Sequence, residues 1–302
     1  MFKHTILIFA GISLLAGCGG GSGGGNNTVI VPAAYTGSTS QATITTSNAK
    51  ALSADAYAGT QLSSAVSAAK IAAEQSDRAA LVQRTAAILE NSVATVVGGN
   101  KSSAKVVASY TQRTVNGYSG SMSFSINLND TTGDFNGTVT FSQYKQTSSD
   151  TASISGTVDI SSCYNSSSVN MSNILLTGTG AGQSYTLTGG MNTSISGTTK
   201  TETMSIVLSD NVSSRTYWMK DFTFVLAGNS LTISGTYYDH VHGYVVISTV
   251  DPLTASSIDA DATSGRLLFT GNNGTKARLT FTGGIPVVEA DTSGSGTFVV
   301  IP

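Results

Sequence analysis

The chain has 302 residues, with 15 Lys and Arg against 17 Asp and Glu, giving a formal net charge of −2. Charged residues are 11% of the chain, far below the ~25% of an ordinary soluble domain, and Ser, Thr, Asn and Gly take their place. No basic patch is present, which excludes nucleic acid as a partner. Two cysteines, Cys18 and Cys163, are too few for a disulfide framework or a Cys-built zinc site.

The chain opens with Lys3 and His4, an apolar run from Thr5 to Ala16, and the small-residue exit Leu15-Ala16-Gly17-Cys18. A basic start, a short apolar core and a small-residue exit predict a secretory signal peptide over residues 1–17. The run falls short of the ~20 residues a spanning helix needs. With its Cys, the four-residue exit resembles the lipobox of bacterial lipoproteins. That resemblance implies a diacylglyceryl group on the Cys18 thiol, cleavage before Cys18, and acylation, typically with palmitate, of the new amino end. Gly19, where enteric inner-membrane lipoproteins carry Asp, implies the outer membrane.

Gly19 to Gly25 is all Gly apart from Ser22, a composition that makes flexible coil. The polar stretch to Ser47 reads as its continuation, so residues 18–47 are expected to be a lipidated tether. From Asn48 to about Val97 the chain is rich in Ala, with Leu, Lys, Gln, Glu and Arg and no Pro, all strong helix formers. Leu62, Val66 and Ala69 recur at helical spacing, as do Leu81, Ile88-Leu89 and Val93. Ser76-Asp77 offers capping oxygens between the groups, and Gly98-Gly99-Asn100 closes the segment. One or two helices are expected over 48–100.

From Lys105 the period becomes two. Met122, Phe124, Ile126 and Leu128 alternate with polar residues. Residues 129–134 make a turn, and Phe135, Val139 and Phe141 continue the pattern, which is a hairpin with one dry and one wet face. The alternation returns at Ile154-Val158-Ile160, Met204-Ile206-Leu208 and Leu231-Ile233-Tyr237. Trp218, Phe222, Phe224 and Leu226 are read as the dry face of the most aromatic strand. Gly271-Asn272-Asn273-Gly274 marks a tight turn before Ala277, Leu279 and Phe281. Ile-Ser-Gly-Thr recurs at Ile154, Ile195 and Ile233, with the near copy Phe135-Asn136-Gly137-Thr138, at spacings of 19, 41 and 38 residues. Glycines at one height in successive hairpins would let a sheet curl. Residues 101–302 are therefore expected to form an antiparallel meander. The fold class is mainly β with an N-terminal helical segment (α+β), a curved sheet packed on one or two helices. A closed barrel or a sandwich is the alternative.

Thr46-Ser47-Asn48-Ala49, Ala56-Tyr57-Ala58-Gly59, Gly235 to Asp239, Gly243-Tyr244-Val245 and Ser264 to Leu279 resemble, in scattered patches, uncharacterised β-rich lipoproteins of Gram-negative bacteria. The resemblance implies an acidic, calcium-type turn near the end. This chain has Asp291-Thr292-Ser293-Gly294-Ser295-Gly296 there, with Ser where calcium would want carboxylates, so no metal is expected.

Candidate chemistry is sparse. His240 and His242 in an extended strand would share a side and could hold a transition metal, but no third ligand is evident, so exposed rings at a hairpin tip are expected. Tyr237, Tyr238 and Tyr244 could form a stacking surface for a glycan, though Tyr in strands more often serves packing. Glu202 and Asp221 could meet as an acid–base pair. Cys163 has no neighbour to lower its pKa and reads as an inert thiol. No nucleophile elbow or phosphate loop is present. The expected protein is an outer-membrane-anchored lipoprotein without enzymatic activity or cofactor. Its role would be structural, adhesive or in envelope interactions, with an envelope protein, glycan or lipid as partner. The alternatives are a periplasmic carrier of a lipid or other apolar ligand, and a transmembrane β-barrel.

Overall fold

The computed structural model describes residues 32–60, 109–128, 135–148, 152–163, 166–178, 184–256, 258 and 261–302. Cys18, the expected helical positions 61–100 and the 129–134 turn lie outside them. The described residues form helix α1 (Ala49–Thr60) and fourteen strands. The strands are β1 (Ser109–Asn116), β2 (Ser119–Leu128), β3 (Phe135–Lys145), β4 (Ala152–Cys163), β5 (Ser166–Gly178), β6 (Ser184–Ser196), β7 (Thr199–Asp210), β8 (Arg215–Ala227), β9 (Ser230–Asp239), β10 (Gly243–Thr254), β11 (Ser264–Thr270), β12 (Lys276–Thr282), β13 (Ile285–Asp291) and β14 (Val299–Val300).

All fourteen belong to one sheet, ordered β1 to β14, each strand antiparallel to the next. Among the described residues the sheet is open, with β1 and β14 unpaired to each other, and neither the closed barrel nor the sandwich forms. In such a meander every turn from an odd to an even strand lies on one rim, and every turn from an even to an odd strand lies on the other.

The two-residue period sorts the side chains as expected. Met122, Phe124 and Ile126 of β2 share a buried face with Val139 and Phe141 of β3 and with Ile154, Val158 and Ile160 of β4. This inner face continues through Met204, Phe224, Ile233, Leu267 and Leu279 as a single apolar core. Helix α1 joins it through Leu52, Ala56 and Tyr57, packing against β8, β9, β12 and β13. Tyr57 meets Phe281 with ring centroids 5.1 Å apart. The outer face is mostly Ser and Thr.

β8 departs from the simple period. Trp218, Phe222 and Phe224 are spaced to share one face, yet Trp218 lies on the outer face while Phe222 and Phe224 enter the inner core. The reason is a bulge: the β7 and β9 registers both shift around Lys220–Asp221, and Asp221 has φ +51°. One extra residue reverses the parity of everything before it.

The Ile-Ser-Gly-Thr copies are not equivalent either. Gly137, Gly156 and Gly235 lie within strands, whereas Gly197 lies in the β6–β7 turn. At Gly235, with φ +154°, a Cβ would sit 2.7 Å from Phe222 Cδ2, so the ring occupies the space the missing side chain leaves.

Candidate functional site

The most elaborated part of the molecule is the rim of odd-to-even turns. Residues 35–44, expected as tether, are laid along it as a strap, with Tyr35, Ala42 and Ile44 buried. The Thr36 amide donates to Thr216 Oγ1 at 3.0 Å, at the start of β8. The Ser38 amide donates to the His240 carbonyl at 2.9 Å. Ser40 and Ala42 bracket Tyr244, whose amide donates to Ser40 O and whose carbonyl accepts from the Ala42 amide. Ala42 O then accepts from the Asn272 amide at 2.7 Å, and the Ile44 amide donates to Thr275 Oγ1 at 3.0 Å. The strap thus passes the β7–β8, β9–β10 and β11–β12 turns in order. It ends in a reciprocal cap, Thr45 N to Asn48 Oδ1 and Asn48 N to Thr45 Oγ1, which starts the turn leading into α1.

Tyr35 anchors the strap on the outer face. It packs against Val207, Trp218 and Tyr238, with ring centroids 5.9 Å from Trp218 and 5.6 Å from Tyr238. Trp218 and Tyr238 stack at 4.6 Å. The Tyr35 hydroxyl donates to the Ser38 and Asp239 carbonyls at 2.8 and 3.0 Å. Burial first, then Asp239 and Tyr238, pushes that hydroxyl far above the ordinary tyrosine range, so it remains a donor. The Tyr238 hydroxyl is raised by burial and further by Tyr244 and Asp221, with Lys220 opposing.

Three turns on this rim share a device with no counterpart in the sequence reading. The strand before each ends in Asp, and its carboxylate folds back onto the turn. Asp210 accepts from the amides of Val212 and Ser213 and from the Ser213 hydroxyl. Asp239 accepts from the amides of Val241 and His242 at 2.9 and 2.8 Å. Asp291, fully buried, accepts from the amides of Ser293, Ser295 and Gly296 and from the Ser293 hydroxyl. Burial alone would raise the Asp291 pKa, but these donors outweigh it and hold the carboxyl below its ordinary value. Its oxygens are committed to the turn itself.

The sequence-predicted site residues are divided by this geometry. Tyr237 and Tyr238 are neighbours in β9 and point to opposite faces: Tyr237 is in the inner core and Tyr238 in the outer aromatic cluster. The three-tyrosine stacking surface therefore does not form. Only Tyr244 keeps partial exposure, beside Tyr238 at 5.1 Å. His240 and His242 occupy the β9–β10 turn rather than an extended strand. His242 is exposed, while His240 Nδ1 accepts from the Thr216 amide at 3.2 Å, which commits that nitrogen's lone pair. Among the described residues, no group of three His, Cys, Asp or Glu is placed to hold a metal ion.

Glu202 and Asp221 do not meet. Glu202 is buried on the inner face opposite Phe224 and pairs with Lys200. Asp221 sits on the bulge, 72% exposed in its side chain, paired with Lys220 at 2.8 Å. The described geometry thus assembles packing and hydrogen bonding around a strap, on an open antiparallel meander. No family model matches the chain, and comparisons with curated proteins and with solved structures return no match.

Proposed function

We propose that the chain is an outer-membrane lipoprotein that displays its β domain on a lipid anchor, without catalysis, in a structural, adhesive or envelope-interaction role. The observation that carries this reading is Leu15-Ala16-Gly17-Cys18 at the end of a short apolar run behind Lys3. The strap supports it, because it fixes the chain following the anchor to one rim of the sheet. In this reading residues 48–100 continue α1 as helix over the inner face, and the sheet curves around them. Burial of Phe124, Val158 and Leu176 supports a packed interior over an open carrier pocket. The transmembrane barrel asks for an apolar outside and a polar lumen, and the burial pattern here runs the other way.

Replacing Cys18 by Ser in a Gram-negative host tests the reading. The protein should leave the membrane fraction and lose incorporation of labelled palmitate. Unchanged fractionation and labelling would overturn it.

A further inference from the structure

We propose that the strap rim is a membrane-docking edge, held against the phospholipid headgroup layer beside the anchor. The proposal rests on the lipoprotein reading above and adds an orientation to it.

The first observation is where the chain comes onto the sheet. Cys18 lies fourteen residues before Pro32, and Thr36 is bonded beside the β7–β8 turn. Fourteen residues reach at most roughly 50 Å when fully extended, and a strand of a dozen residues is itself roughly 40 Å long. The strap rim therefore lies within reach of the anchor. Presenting the opposite rim would require the tether to run almost straight along the whole domain.

The second observation is what this rim presents. Val212 and Val241 are 59% and 58% exposed at the tips of the β7–β8 and β9–β10 turns, and those hairpins are neighbours through β8 and β9. Tyr118, in the β1–β2 turn of the same rim, is 68% exposed. Turn tips are ordinarily polar, and apolar tips with a tyrosine fit the interfacial layer of a bilayer.

The third observation is the direction of the charges. Asp210, Asp239 and Asp291 spend their carboxylates on their own turns, while Arg215 is exposed. These carboxylates keep their charge, and Lys145 and Lys276, at the end of β3 and the start of β12 on the same rim, offset it together with Arg215. Because a short tether supplies an effective concentration in the millimolar range, even weak docking is occupied.

The test uses the full chain, lipidated and reconstituted in vesicles of phosphatidylethanolamine and phosphatidylglycerol, in a Cys163→Ser background. Bimane is placed at His242→Cys on the strap rim or at Thr198→Cys on the opposite rim. Headgroup spin-labelled lipid should quench the first label and leave the second bright. Val212→Asp with Val241→Asp should abolish quenching while the protein stays membrane-bound. The milder pair Val212→Ser with Val241→Ser should weaken it, with Trp218 fluorescence checking the fold. Equal quenching at both rims, no quenching at either, or quenching that survives the Asp pair would overturn the proposal. So would quenching that follows protein density, since that assigns the rim to a second copy. Cys18→Ser separates the two readings: loss of membrane attachment supports the anchor whatever the labels report, and retention removes the anchor itself.

Discussion

The two rims of the sheet solve the same problem with different chemistry. On the strap rim, the β7–β8, β9–β10 and β13–β14 turns are built around an Asp that accepts two or more turn amides. On the far rim, the β6–β7, β8–β9 and β12–β13 turns rely on Gly197, Gly228, Gly283 and Gly284, at which an added Cβ would meet nothing within 4 Å. Glycine supplies a tight reversal and little else. An Asp-capped turn fixes longer backbone, and at the β9–β10 turn that backbone holds the strap through the His240 carbonyl. The far rim closes hairpins and ties two of them to the β10–β11 connection, the Ala255 amide donating to Asn229 O and the Gly284 amide to Thr263 O, whereas the strap rim binds a segment from outside the sheet.

Substitutions should divide along that line. The largest effect is expected at Gly243, which has φ +88° and where a Cβ would lie 2.0 Å from Ser40 O. Left-handed strain and overpacking cost roughly 1–3 kcal/mol each, so Gly243→Ala should lower the thermal midpoint sharply and expose residues 35–44 to limited proteolysis. If the midpoint falls while the strap stays protected, the turn does not hold the strap. Asp239→Ala removes the acceptor for two turn amides and should cost about 1–2 kcal/mol, in the manner of a lost cap. Urea unfolding read at Trp218 would measure it.

Gly228→Ala, with φ +61° and open space around it, should cost only about 1 kcal/mol of backbone strain and leave the strap untouched. An equal loss of strap protection there would erase the distinction between rims.

At Asp291→Asn one side-chain acceptor is lost, since Nδ2 cannot accept from the Gly296 amide, and the signature of this substitution is pH dependence. The folded carboxyl is held below its unfolded value. Its contribution is therefore present above the ordinary carboxylate range and lost as pH falls through the folded pKa. The parent protein should lose stability on acidification, and the Asn variant should lack that share of the slope. Thermal midpoints from neutral to acid pH would show parallel curves if the buried turn carries no such linkage.

The sheet was legible wherever alternation ran unbroken, as in Met122-Phe124-Ile126, because a half-buried strand leaves that period in its sequence. It was illegible at Lys220–Asp221. A bulge inserts one residue without a compositional mark, so Trp218 changes face and the supposed Glu202–Asp221 pair separates. The strap was hidden for a different reason. Tyr35, Ala42 and Ile44 are isolated apolar residues in polar sequence, and their partners lie some two hundred positions away, as in Tyr35 with Asp239. The capping aspartates could have been found, since Asp210, Asp239 and Asp291 each end an apolar alternation just before a polar turn. Among the weak candidates, Tyr237 and Tyr238 were separable from strand parity alone.

The strap also sets an order of events. Strand pairing is between sequence neighbours throughout, so the meander can form as a succession of local hairpins, the rapid class of β assembly. The strap is made first during synthesis yet needs β8 to β12 before it has anywhere to bind. Its loop closure spans most of the chain, with 204 residues between Tyr35 and Asp239, and closing long loops carries an entropic cost that slows the step. Refolding followed by backbone signal should therefore run ahead of refolding followed at Trp218. That lone indole reports when the beginning of the chain has found its place against the end.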